Sequence, residues 1–265
     1  FIHWGLYSET AGYWEGRRAE GAEHFMIHEK ISLEDYGKIA EDFNPTEFDA
    51  EEWVLVAKNA GMQYIVITTK HHDGFAMYDS ASSDYDIVDR TPYGKDPIKE
   101  LASACRKHNM KLGFYYSLGR DWEDPDTPTN WPTKGGRSNL VDYPDEDAKV
   151  FSRYFERKVK PQLKELLTGY GPVAIMWFDT PEEISPEESA ELRAIINKMQ
   201  PECTINDRIG NGFGDYDTPE QKVPEEINTS PWESCITMNQ NWGYIAYDKD
   251  YKSSESLVRV LVEIT

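Results

Sequence analysis

The chain alternates short apolar runs, rich in β-branched and aromatic residues, with longer segments whose apolar positions recur every three to four residues. The runs at 1–5, 64–69 (YIVITT), Lys111–Ser117, 173–178 (VAIMWF), 204–206 and near 232–237 read as strands. YIVITT has the continuous apolar character of a strand covered on both faces. Helical periodicity falls at 33–44, 49–61, 98–109, 145–170 (interrupted at Pro161), Pro186–Met199 and 253–265. Asp49 stands where an N-cap is wanted, and Gly61 where a helix stops. Strand-helix alternation predicts an α/β fold with a parallel sheet. The expected architecture is a distorted TIM-like (β/α)8 barrel, with one or two strands short of eight supplied beyond Thr265. Residues 1–265 read as one catalytic barrel domain cut from a longer protein at both ends, with no second domain.

Polar residues cluster where the strands end. His3-Trp4, Lys70-His71-His72-Asp73, Tyr115-Tyr116-Ser117, Trp177-Phe178-Asp179 and Asn206-Asp207-Arg208 each close a run. In a βα barrel these ends converge on one rim, where such folds keep their sites. Asp179 alone could be a turn residue, since Thr180-Pro181 follows it. With His3, His71, His72 and Arg208 on the same rim, its charge has partners, and a cation nearby keeps a carboxylate ionised, as a nucleophile requires. The spacing of His71-His72-Asp73 is not that of a zinc site. A nucleophile elbow and a Walker loop are also missing from the sequence. Two carboxyl groups are what glycoside hydrolysis needs. Candidates for the second are Glu220, Glu233 and Glu23, whereas Glu225 and Glu226 read as solvated surface residues.

Charge removes other classes of function. A formal net charge of −20 repels phosphate backbones and anionic lipid, which argues against nucleic-acid and membrane-surface binding. It does not repel neutral glycans. The 8 Trp and 16 Tyr suit a sugar cleft as well as an aromatic core. Three cysteines give no disulfide framework, and no cofactor motif is visible. The Pro/Gly/Asp-rich stretches at 121–144 and 210–230 have the length of functional loops.

The ordered motifs FIHWGLYS, TTKHHDGFAMYDS, GFYYSLGRDW, IMWFD, NDRIGNGFGDYDTPEQ and WESCITMNQNWGY resemble glycoside hydrolase family 29, the α-L-fucosidases, from Phe1 to about Tyr244. The resemblance implies a retaining exo-glycosidase acting on fucosylated oligosaccharides or glycoconjugates, without cofactor or metal, in a secreted, periplasmic or lysosome-like compartment. It places the nucleophile at Asp179 and sugar contacts at His3, Glu23, His71, His72, Tyr115, Trp177, Arg208 and Trp242. Where the family commonly has Glu-Trp, this chain has Glu23-His24, a smaller polar ring at a sugar contact. The GDYDTPEQ segment is similar to the branch that cleaves α-1,3 and α-1,4 linkages and favours Glu220 as acid/base, with Glu233 second. A catalytically inactive fucose-binding barrel and a hydrolase of α-L-galactose stay open as alternatives.

Overall fold

A four-stranded parallel sheet lies at the centre of the computed structural model, which describes residues 1–224 and 229–264. Its strands, Tyr64–Lys70, Lys111–Ser117, Ile175–Asp179 and Thr204–Ile205, lie side by side in chain order. Helices Pro97–His108, Lys160–Gly169 and Pro186–Met199 return the chain between them. The local sequence sets their ends. Asp96 accepts from Lys99 N at 2.9 Å and Pro97 opens the first of these helices, while Asn109 stops it in the left-handed region. Ser185 and Glu188 cap the third reciprocally. The architecture is the TIM-like α/β fold expected, as an open arc: among the described residues, no ladder of strands closes the barrel. No helix among them is long and apolar enough to cross a membrane.

The strand alternation separates two buried faces. Ile65, Ile67, Leu112, Phe114, Tyr116, Met176 and Phe178 join the large core beneath the helices. Val66, Tyr115 and Trp177 face the other way, packing with Cys235 and against Ile175, Tyr216 and Trp242. The parallel register sets Thr68 beside Tyr115, Tyr115 beside Trp177 and Ser117 beside Asp179. Polar residues at the strand ends are thereby collected on the inner face. The register shifts between Thr68 and Lys70, which turns Lys70 to the helix side. There its buried ammonium donates to Asp121 Oδ2 at 2.9 Å and to the Tyr154 hydroxyl at 2.6 Å.

Several expected elements differ. Segment 1–5 is no strand: only Ile2 bridges to Ile67, because Thr68 Oγ1 takes the N–H of Trp4 and donates to its carbonyl, diverting both from a ladder. Segment 232–237 likewise makes single bridges, Trp232 to Asp217 and Cys235 to Glu220. Pro219 and Pro231 in these paired segments lack the N–H that a continuous ladder needs. The expected helix 33–44 is split into Leu33–Gly37 and Ile39–Asp42, at a glycine. The expected helix 145–170 opens as a separate turn, Glu146–Ala148, and resumes at Phe151. It is not interrupted at Pro161. Instead the turn before it, Phe155–Val159, widens to a π turn and accommodates the missing donor. The last helix runs Ser254–Glu263 from an Ser253 cap; Thr265 lies outside the described residues.

Candidate active site

At the C-terminal ends of the strands the inner face opens into a cavity of about 450 Å³. Asp179 is the last residue of its strand, and both of its oxygens are held. Oδ1 accepts from Arg208 Nη1 at 2.7 Å and from Thr180 N at 3.0 Å; Oδ2 accepts from the Tyr115 hydroxyl at 2.7 Å. Burial pushes the Tyr115 phenol well above its usual range, so it stays protonated and donates. Burial would lower Arg208, but the charge of Asp179 and its hydrogen bond overcome this and raise it. The guanidinium also stacks over Trp177, 4.8 Å from the ring centroid. Thr180 is held at φ 55, and its carbonyl lies 2.0 Å from where a Cβ on residue 119 would sit. Only glycine lets the loop after Lys111–Ser117 pass this closely, so Gly119 shapes the wall beside Asp179.

Three imidazoles line the cavity beside it. His72 Nδ1 is 2.6 Å from Ser117 Oγ, and its Nε2 is 3.9 Å from Asp179 Oδ2. The Nδ1 atoms of His3 and His71 are buried without a partner. Burial pushes His3 down to about 4 and holds His71 and His72 well below the usual imidazole range. All three are therefore neutral near pH 7, each with one donor and one acceptor nitrogen. His71 stacks on Tyr115 (5.2 Å, 8°), Tyr115 on Trp177 (5.5 Å, 23°) and His3 on Trp242 (5.4 Å, 25°).

Glu23 and His24 line the cavity next to these imidazoles. Glu23 Oε2 accepts from Gly243 N at 2.8 Å, and Oε1 lies 3.2 Å from His24 Nδ1. A side chain at 243 would press on that oxygen at 3.0 Å, so the glycine of NWGY brings its backbone N–H to the carboxylate. Burial alone would raise Glu23, but the His24 hydrogen bond and charge outweigh it and lower the carboxyl. The His24 ring sits 5.1 Å from His72 and is part of the cavity wall.

The other carboxylates separate clearly. Glu220 lines the cavity, half-exposed at its mouth, and its Oε2 accepts from Arg208 Nη2 at 2.9 Å. One guanidinium thus bridges Asp179 and Glu220. Glu233 does not line the cavity. It sits behind Trp177, accepting from the indole Nε1 at 3.2 Å and from the Tyr64 hydroxyl at 3.1 Å. Glu225 and Glu226 lie outside the described residues. The other candidate site residues, His3, Glu23, His24, His71, His72, Tyr115, Trp177, Asp179, Arg208, Glu220 and Trp242, meet in this one cavity, whereas Lys70, Asp73, Tyr116, Ser117, Asn206 and Asp207 of the strand-end clusters do not line it. It also contains residues the sequence reading passed over: Arg120, Trp131, Arg137, Thr180, Glu182 and Cys235. The available signals were the position of Arg120, just after the strand ending at Ser117, and that of Thr180 and Glu182 beside Asp179. Trp131 and Arg137 stand in the 121–144 stretch, whose length pointed to a functional loop but whose lack of period singled out neither residue. A strand-end carboxylate, a second carboxylate at the mouth and aromatic walls form a setting suited to glycoside cleavage.

Comparison with known proteins gives the same direction. The alpha-L-fucosidase family model matches residues 1–265. An α-L-fucosidase from Lactobacillus casei, in complex with its α-L-fucose product, is 39% identical with a TM-score of 0.93, over 99% of this chain and 83% of that one. A variant of that enzyme is in complex with Fucα(1,6)GlcNAc. Isoenzyme 1 from Paenibacillus thiaminolyticus is 41% identical with a TM-score of 0.85, over 99% of this chain and 64% of that one. The plasma alpha-L-fucosidase of Homo sapiens is 29% identical over 99% of this chain and 57% of its own length. The chain spans little more than half the length of the curated relatives it matches.

Proposed function

The chain belongs to the alpha-L-fucosidase family, and from that premise we propose that it removes terminal α-L-fucose from glycans as a retaining exo-glycosidase. Asp179 attacks C1 of the fucosyl unit and Glu220 protonates the departing oxygen. Glu220 then takes a proton from the water that cleaves the fucosyl ester. The observation that carries this reading is the bridge made by Arg208 between Asp179 and Glu220. The bridge orients the nucleophile. Once ester formation consumes the charge on Asp179, Arg208 still holds Glu220 in place for the second step. Neutral His3, His71 and His72 offer donor and acceptor nitrogens to sugar hydroxyls. Trp242 and His24 supply ring surface, and Glu23 steadies the His24 ring. Glu233 acts through Trp177, whose indole it orients.

Glu220→Ala should lose about 10²- to 10⁴-fold on substrates with poor leaving groups, and on an aryl fucoside with a good leaving group should recover with azide, yielding an α-fucosyl azide of retained configuration. The same rescue at Glu233→Ala instead would move the acid/base role there. The segment containing Glu220 supports an α-1,3/1,4 preference, whereas the complex of the Lactobacillus casei enzyme variant supports α-1,6. Product analysis on fucosyl-N-acetylglucosamines of the three linkages decides between them.

A further inference from the structure

The cavity continues outward from Asp179 to a group that takes no part in the chemistry above. Arg120 Nη2 donates to Glu182 Oε1, but the pair is joined by one leg only. Arg120 Nε and Glu182 Oε2 are each buried without a partner, on a guanidinium-bearing residue only 7% exposed. Both residues line the cavity. An unpaired N–H and an unpaired carboxylate oxygen on one ion pair offer what a hydroxyl needs, since it accepts from one and donates to the other. Left without such a ligand, both atoms carry the cost of burial with no hydrogen bond.

Trp131 stands against Arg120 and is 54% exposed. The Arg120 and Arg137 guanidinium carbons lie 5.7 Å and 5.2 Å from its ring centroid. Its loop is pinned: Gly135 N donates to the Thr129 carbonyl at 2.7 Å, and Glu146 Oε1 takes both Thr129 N and Ser138 Oγ at 2.7 Å. The Trp122 indole donates to the Arg137 carbonyl at 2.9 Å. An exposed indole on a fixed loop, packed by a guanidinium that belongs to a half-satisfied ion pair, is suited to receive the apolar face of a pyranose and one of its hydroxyls.

We infer that Trp131, Arg120, Glu182 and Arg137 form the binding subsite for the sugar released with fucose, so that this loop selects the leaving group. The inference rests on the proposed fucosidase activity. It is tested with two substrates: a fucosyl-N-acetylglucosamine of the linkage the unmodified protein cleaves fastest, and α-L-fucosyl fluoride, which carries no second sugar. Trp131→Ala should lower kcat/KM on the disaccharide about tenfold or more and leave the fluoride within about twofold. Glu182→Gln, which keeps the side-chain volume, should show the same selective loss to a smaller degree. Equal losses on both substrates, or no loss on the disaccharide, would overturn the subsite. Failure of the unmodified protein to hydrolyse the fluoride would instead overturn the fucosidase reading and leave no subsite to assign. Because the fluoride rate of each variant reports an intact floor, a folding defect is not mistaken for support.

Discussion

The floor and the mouth of the cavity are built by different means. The floor comes from strand ends: Trp177 and Asp179 are successive inward residues of one strand, and Tyr115 lies beside Trp177 on the next, in directions the parallel register dictates. Every oxygen of Asp179 has a fixed partner. The mouth comes from loops. Trp131 is more than half exposed, Glu220 is 46% exposed, and the Arg120–Glu182 pair retains open hydrogen-bonding atoms. A backbone ladder leaves little freedom to a residue it carries, whereas a loop can change length and composition without disturbing the sheet. The floor therefore suits the invariant part of a reaction, and the mouth suits the part that differs between substrates.

The sharpest test of this division is at the nucleophile. Asp179→Asn should lower kcat roughly 10⁴-fold or more on the fluoride and the disaccharide alike, with fucose still bound as measured by calorimetry. A variant that kept substantial turnover would remove Asp179 from its role and with it the assignment of the floor to chemistry. Tyr115→Phe asks less. It deletes one hydrogen bond to a carboxylate, worth roughly 1.5–3 kcal/mol, so kcat should fall roughly 10- to 100-fold. The loss should be the same on both substrates, since Tyr115 touches the nucleophile and not the mouth. A loss confined to the disaccharide would break the comparison.

The same contrast explains what the sequence could disclose. Alternation along Lys111–Ser117 and Ile175–Asp179 assigns Tyr115, Ser117, Trp177 and Asp179 to one face, and the chain order of parallel strands brings those faces together. Glu220 and Glu233 could not be separated that way. They sit on paired segments joined through bridges at Asp217–Trp232 and Glu220–Cys235. Only the placement of Trp177, whose indole draws Glu233 behind it, distinguishes them. The loop bearing Trp131 and Arg137 has no period at all, and its shape depends on Glu146, well along the chain. The first and last expected strands failed for related reasons that hydrophobic pattern cannot register: a threonine side chain takes the backbone partners of Trp4, and Pro219 and Pro231 lack the N–H a ladder needs.

The smallest expected effect is thermodynamic and belongs to the floor alone. His3 is pushed down to about 4 by burial, and His71 and His72 are held well below the usual imidazole range. Between pH 6.5 and about 4, these imidazoles take up protons in the unfolded chain and not in the folded one, so stability falls as the solution is acidified. Asp73 opposes this. Burial raises it to about 6, so it binds its proton earlier in the folded state and favours folding through part of the same window. Burial raises Asp86, Glu9, Glu182 and Glu183 in the same sense, while Glu23 and Asp121 are lowered and act with the imidazoles; with three strongly lowered imidazoles on that side, the melting temperature should drop from pH 7 to pH 4.5. His3→Asn removes one titrating group and should flatten that slope by at most a few kcal/mol over the window. Trp131→Ala, which alters no titrating group, should leave the slope as it is. An equal flattening by both variants would show that the acid sensitivity comes from the cavity as a whole and not from the histidines beneath it.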